Sequence, residues 1–322
     1  MRRFPRWLTA IVLAVAMCAT SCTGDDSGAT STTTAAGTRA EPGNSTVATG
    51  GLSADGKVRF GGFNFTESTI LANIYAQAAI AAGVPAEVVP DIGPREVVDR
   101  SLFKGEIGAV PEYSGSAVVA LNGDATSDAK ATHDELTKLM KDQKVGVLDF
   151  APAVNRDAIA VTLDTATRFD MHTMSDLAAH AGDMRFAGPP ECPHRPLCIP
   201  GYEKTYGIVF KAFVPEESGL PTASGLARNE VDAANVFTTD ATISVFTLVV
   251  LDDDKGLFPA ENITPVVRQD VLDKYPQLAD ALNKVSAALT TRDLLALNYT
   301  VAIAGERPAD AALTWLQDKK LI

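Results

Sequence analysis

Histidine and cysteine are scarce, at four of each in 322 residues, and no grouping of them spells a metal site. His194 lies between Cys192 and Cys198, but no fourth ligand follows at a zinc-finger spacing. His133, His172 and His180 are scattered along the chain and read as solvated. There is no H-E-x-x-H, no G-x-S-x-G, no P-loop and no dinucleotide-binding glycine fingerprint, so nothing favours catalysis or implies a cofactor. The run DDDK, Asp252 to Lys255, lacks the glycine and spaced acids of a calcium loop and reads as a solvated turn. Positive charge is also short: 28 Lys and Arg stand against 40 Asp and Glu, a net charge of −12. That balance argues against nucleic acid as a partner. Past the N-terminal segment, no apolar run is long enough to cross a membrane.

That N-terminal segment, MRRFPRWLTAIVLAVAMCATSC, places Arg2, Arg3 and Arg6 ahead of an apolar run from Leu8 to Ala19, with small residues before Cys22. It reads as a secretory signal peptide over residues 1–21. Ala-Thr-Ser-Cys is acceptable as a bacterial lipobox, so Cys22 is expected to carry the lipid and become the mature N-terminus. Cys18 fits less well because Met17 is bulky at the cleavage position, and simple secretion with a stray cysteine is the alternative. A lipidated Cys22 would hold the protein on the outer face of the bacterial plasma membrane by that anchor alone. Residues 22–56 are mostly Thr, Ser, Ala, Gly and Asp, without an aromatic, and read as a flexible tether that cannot bury a core. Outside the cytoplasm, Cys192 and Cys198 in the proline-rich PPECPHRPLCIPGY are expected to form a short-loop disulfide.

Folding should begin near Lys57, and the remaining length suits two domains. KVRFGGF reads as a strand, and NFTESTILANIYAQAAIAAG as a helix with Ile70, Leu71, Ile74, Tyr75 and Ala78 on one face. Asn64 or Thr66 can cap that helix and Gly83 can end it. AEVVP, PREVVDRSLFKG and IGAV continue as strand, helix and strand, and DAIAVTL, SDLAAHAG, MRFAG, AANVFTTD and LVVLDDD repeat the alternation. The pattern predicts an α/β fold with mainly parallel sheets, followed by a helical tail from about Val271 to Leu321.

The stretch AVPEYSGSAVVAL sets Tyr113 on a Ser-Gly-Ser turn that opens a helix. The hydroxyls of Ser114 and Ser116 and the free N–H groups there suit an anion, while an aromatic face suits a cation. The turn also reads as an ordinary capped helix with a half-buried tyrosine.

Six segments, in order, carry a resemblance: GGFNFTESTILANIYAQ, PEYSGSA, RPLCIPGYEKTYG, NVFTTDATI, LVVLDDDKGLFP and TPVVRQDVLDKYPQLADALNKVSAALTTRDLLALNY. Together they resemble the substrate-binding proteins of osmoprotectant ABC importers, which take glycine betaine, choline and carnitine. The resemblance runs from Val58 to Ile322. It implies a two-lobed periplasmic-binding-protein fold of the second type with a ligand cleft, lobe one being 57–154 plus 263–322 and lobe two 155–262. It further implies a monomer that closes on a small-molecule ligand and docks on an ABC permease driven by its ATPase. A protein of the same fold serving as a sensor or an interaction partner is the alternative.

In this family a box of aromatic rings, commonly four tyrosines, holds the trimethylammonium group, and basic and hydroxyl groups hold the carboxylate. Tyr113 matches the first tyrosine, Ser116 falls where a threonine is usual, and Arg195 matches the basic residue, or else is a loop arginine that pairs with a surface acid. Phe237 replaces a tyrosine but keeps the ring. Asp157 and Glu261 stand where aromatics are usual, and Phe63, beside Asn64 in GGFNFTE, stands where a lysine can reach the carboxylate. At about 2 kcal/mol per dry cation–π contact, losing two rings would weaken a quaternary ammonium roughly a thousandfold. Asp157 and Glu261 would instead attract a cation, or accept hydrogen bonds from a hydroxylated or aromatic ligand stacked on Phe63, Tyr113 and Phe237; turned outward, they would simply be solvated.

Overall fold

The computed structural model describes residues 50–322; the expected signal peptide, Cys22 and most of the tether lie outside the described residues. The first strands are β1 (Val58–Gly61), β2 (Ala86–Val89), β3 (Ala109–Tyr113) and β4 (Val145–Val147). After a crossover come β5 (Asp157–Thr162), β6 (Arg185–Gly188), β7 (Ala212–Pro215), β8 (Ala233–Phe237) and β9 (Leu248–Val250), and the chain returns as β10 (Ile263–Arg268). They form two five-stranded sheets, ordered β2-β1-β3-β10-β4 and β7-β6-β8-β5-β9. The two crossovers run side by side: Val154 pairs with Asn262, and Asn155 N–H donates to the Glu261 carbonyl at 3.1 Å.

Each sheet is mixed, which corrects the expectation of mainly parallel pairing. β1 lies parallel to β2 and β3, and β6 parallel to β7 and β8, but β10 is antiparallel to β3 and β4, and β5 to β8 and β9. The cause is connectivity. Strands joined by helices within a lobe run toward the cleft, whereas β5 and β10 enter from the other lobe at the cleft and must run away from it. Side chains beside the cleft therefore come from the carboxyl ends of parallel strands and the amino ends of β5 and β10.

The helix α1 (Thr66–Ala81) is more deeply buried than a one-faced pattern predicts, with Ala72, Ala76 and Ala79 covered as well as Ile70, Leu71, Ile74 and Tyr75. Tail helices Gln277–Ala288 and Pro308–Asp318 pack on it, and Tyr75 OH lies 3.0 Å from Ser286 Oγ. Neither expected cap is used: Phe65 is the N-cap, without a side-chain capping bond, and Asn64 points across the cleft. In the second sheet, Ile159 and Val161 face one core while Ala158 and Ala160 face the other, the period-two pattern of a strand covered on both sides.

Candidate ligand-binding cleft

The helix α2 (Arg95–Lys104) follows β2, and α3 (Ser114–Ala120) follows β3 without a break. Ser-Gly-Ser is thus the first turn of a helix rather than a loop. Gly115 is required by close approach, since a Cβ there would lie 2.5 Å from Pro259 Cγ and 2.7 Å from the Ala260 carbonyl. The hydroxyls predicted to meet an anion have protein partners. Ser114 Oγ donates to the Ala260 carbonyl at 3.1 Å, and Ser116 Oγ donates to Glu261 Oε1 at 2.6 Å.

A cavity of about 380 Å³ opens between the lobes, within the range of small-ligand sites. All eight residues singled out for the ligand line it: Phe63, Asn64, Tyr113, Ser116, Asp157, Arg195, Phe237 and Glu261. Asp157 and Glu261 therefore do not turn outward. The rings form one cluster once Phe65, which sequence reasoning passed over, is included. Phe63 stacks on Phe65 at 5.8 Å between centroids, Tyr113 lies 5.7 Å from Phe65, and Phe237 lies 5.2 Å from Phe65.

The two acids sit differently. Asp157 is the register partner of Phe237 and accepts from Asn235 Nδ2 at 3.1 Å. Burial pushes its carboxyl pKa up, against the hydrogen bond from Asn235 and the charges of Arg195 and Arg95. Glu261 is 2% exposed, its Oε2 has no partner among the described residues, and burial pushes its pKa up to about 8 despite the Ser116 hydrogen bond. At neutral pH Glu261 is therefore mainly uncharged, and the strong attraction for a cation expected of an ionised acid is reduced there.

Two solvent-exposed polar bridges cross between the lobes. Asn64 Nδ2 donates to Glu217 Oε2 at 3.0 Å, and Arg195 donates to Glu96 through Nε at 3.3 Å and an Nη at 3.1 Å. Cys192 and Cys198 form a disulfide, with Cα atoms 5.2 Å apart, in the segment presenting Arg195.

Beneath the rings, Glu67 gathers four donors. Tyr113 OH and Asn155 Nδ2 reach Oε1 at 2.9 and 2.8 Å, while Thr239 Oγ1 and Asn298 Nδ2 each reach Oε2 at 2.6 Å. Burial pushes the Glu67 pKa up and these four bonds pull it back. The knot joins the first lobe's ring, a crossover, the second lobe and the helical tail.

Arg95 also escaped sequence reasoning. Its side chain is 13% exposed, its guanidinium lies 4.9 Å over the Phe63 ring, and it pairs with Glu112. A signal was present, since a cation on the first turn of a helix opposes the helix dipole, a local conflict that marks a position held for another reason.

The family model for the substrate binding domain of ABC-type glycine betaine transport systems matches residues 56–318. The chain belongs to this family. It is 30% identical over 283 residues to the glycine betaine-binding protein YehZ of Escherichia coli, covering 83% of this chain and 92% of that protein. It is 29% identical over 286 residues to a glycine-betaine-binding protein of Pseudomonas aeruginosa, covering 84% and 91%. A solved glycine betaine/carnitine/choline ABC transporter chain superposes with a TM-score of 0.67 at 25% identity, over 82% of this chain and 99% of that one. The fold is that of the two-lobed periplasmic binding proteins, and the family is one of binding proteins, not enzymes.

Proposed function

We propose that the protein is the extracytoplasmic solute receptor of an osmoprotectant ABC importer, held to the outer face of the plasma membrane by lipid on Cys22 and working with an ABC permease and its ATPase. The observation that carries the ligand reading is the convergence of Phe63, Phe65, Tyr113 and Phe237 on one small cavity between the lobes. Such a cluster suits the trimethylammonium group of glycine betaine, choline or carnitine, while Asn64, Ser116, Asp157, Arg195 and Glu261 supply the polar contacts. Lobe one would comprise 57–154 plus 263–322 and lobe two 155–262, so that residues from both surround the solute.

A second reading, that the cleft takes a hydroxylated or aromatic compound, is favoured by the unpartnered Glu261 Oε2 and by the Phe63 ring face already covered by Arg95. Titration calorimetry with the three osmolytes, alongside a thermal-shift screen of hydroxylated and aromatic compounds, separates the two. Saturable binding of an osmolyte at one site per chain supports the first; stabilisation by the second set alone refutes it. The Cys22→Ser form should leave the membrane fraction, and its retention there would remove the anchor.

A further inference from the structure

We propose that Arg95, rather than Arg195, is the specificity-determining residue that grips a carboxylate on the ligand, an inference that rests on the reading of this cleft as a solute site. Arg95 lines the cavity, and its side chain is 13% exposed. A guanidinium carries five N–H donors in a rigid fork. Among the described residues, its side chain makes a hydrogen bond only through one Nη, to Glu112 Oε2. Its remaining donors have no hydrogen-bond partner among the described residues, and the residue lines the cavity. A planar carboxylate arriving there can accept two of them at once, the arrangement in which arginine outperforms lysine.

Three further features point the same way. Phe63 removes the lysine that the family's pattern offers at that position, and Arg95 lies directly over the Phe63 ring, 4.9 Å from its centroid. The ring face favours a cation at that distance, so a cation is supplied there from the neighbouring helix. Arg195, the expected basic residue, spends its fork on Glu96 across the cleft and is 34% exposed. Its geometry is that of a closing bridge. Finally, apart from Glu112, which already pairs with Arg95, two neighbouring acids are poor rivals for a ligand anion. Burial and the Glu112 charge push the pKa of Asp99 up to about 8, and burial pushes that of Glu261 up to about 8, so these two carboxyls tend to hold their protons.

The test compares two trimethylammonium ligands that differ in one end group: glycine betaine has a carboxylate and choline a hydroxyl. Calorimetry is run on the wild-type protein, Arg95→Gln, Arg195→Gln, and the double variant Arg95→Gln/Glu112→Gln. The double variant avoids stranding the buried Glu112 charge if the single change unfolds the protein. Loss of a charge-assisted pair predicts betaine affinity falling roughly 10- to 100-fold in either Arg95 variant, with choline changing less than about 3-fold. Arg195→Gln should weaken both ligands by a similar factor, since it loosens closure instead of one end group. Equal losses for both ligands in the Arg95 variants, or a betaine-selective loss in Arg195→Gln, overturns the assignment. Wild-type binding of choline without betaine also overturns it while leaving the solute-receptor reading standing; binding of neither refutes the osmolyte reading and the Arg95 assignment with it.

Discussion

Replacing Glu67 with alanine should destabilise the folded protein by about 3–5 kcal/mol. The carboxylate is 4% exposed and accepts from Tyr113, Asn155, Thr239 and Asn298. Asn298 Nδ2 also donates to the Thr239 carbonyl at 2.9 Å and keeps that partner. Tyr113 OH, Asn155 Nδ2 and Thr239 Oγ1 lose their acceptor in a place that water reaches poorly, at about 1–3 kcal/mol each. Relief from burying a carboxylate, and water entering the vacated space, offset part of that loss, which brings the expectation toward the lower half of the range. Glu67→Gln preserves the shape but turns an NH₂ toward two donors, so it should lie between wild type and alanine. Urea unfolding followed by circular dichroism reads both, with the change expected in the midpoint and not in the slope. A loss below about 1 kcal/mol in the alanine variant, or a glutamine variant as stable as wild type, would refute the argument that this knot ties the lobes together.

Stability should fall as pH rises from about 5 to 8 through the Glu261 contribution. Its folded pKa, pushed up to about 8 from an ordinary 4.5, means that the folded state holds the proton more tightly than the unfolded state across that window. The loss is on the order of 3–5 kcal/mol, and Asp157, shifted the same way by burial, adds to it. Glu261→Gln should flatten the slope in urea-unfolding series at several pH values; an unchanged slope in that variant contradicts the assignment. Cys192 and Cys198 should resist alkylation until a reductant is added, and reduction should destabilise the second lobe by about 2–3 kcal/mol. Two thiols labelled in the secreted, non-reduced protein would rule out the bridge.

The sequence by itself determined the alternation of strands and helices, because periodicity and local punctuation are carried by neighbouring residues. KVRFGGF, AEVVP and DAIAVTL are strands in the structure, and REVVDRSLFKG folds as α2, ending where Gly105 takes a left-handed conformation at φ 77°. It also pointed to Tyr113, Ser116 and Phe237, which stand within segments resembling the family, and to Asp157 and Glu261, which replace the aromatics usual there; all five line the cavity. Tertiary structure alone decided the direction of β5 and β10, which depends on the chain having crossed from another lobe. It likewise decided what each site residue touches. Phe65 and Arg95 are separated by thirty positions yet meet around Phe63, and Glu67 collects donors from as far away as Asn298. Arg195 and Arg95 show the same limit: both are arginines on short-range patterns, but only folding places Glu96 against one and Glu112 and the Phe63 ring against the other, with both lining the cavity. Burial, and with it the raised pKa of Glu261, belongs to the assembled lobes, because desolvation is a property of everything packed around a group and not of its neighbours in the chain.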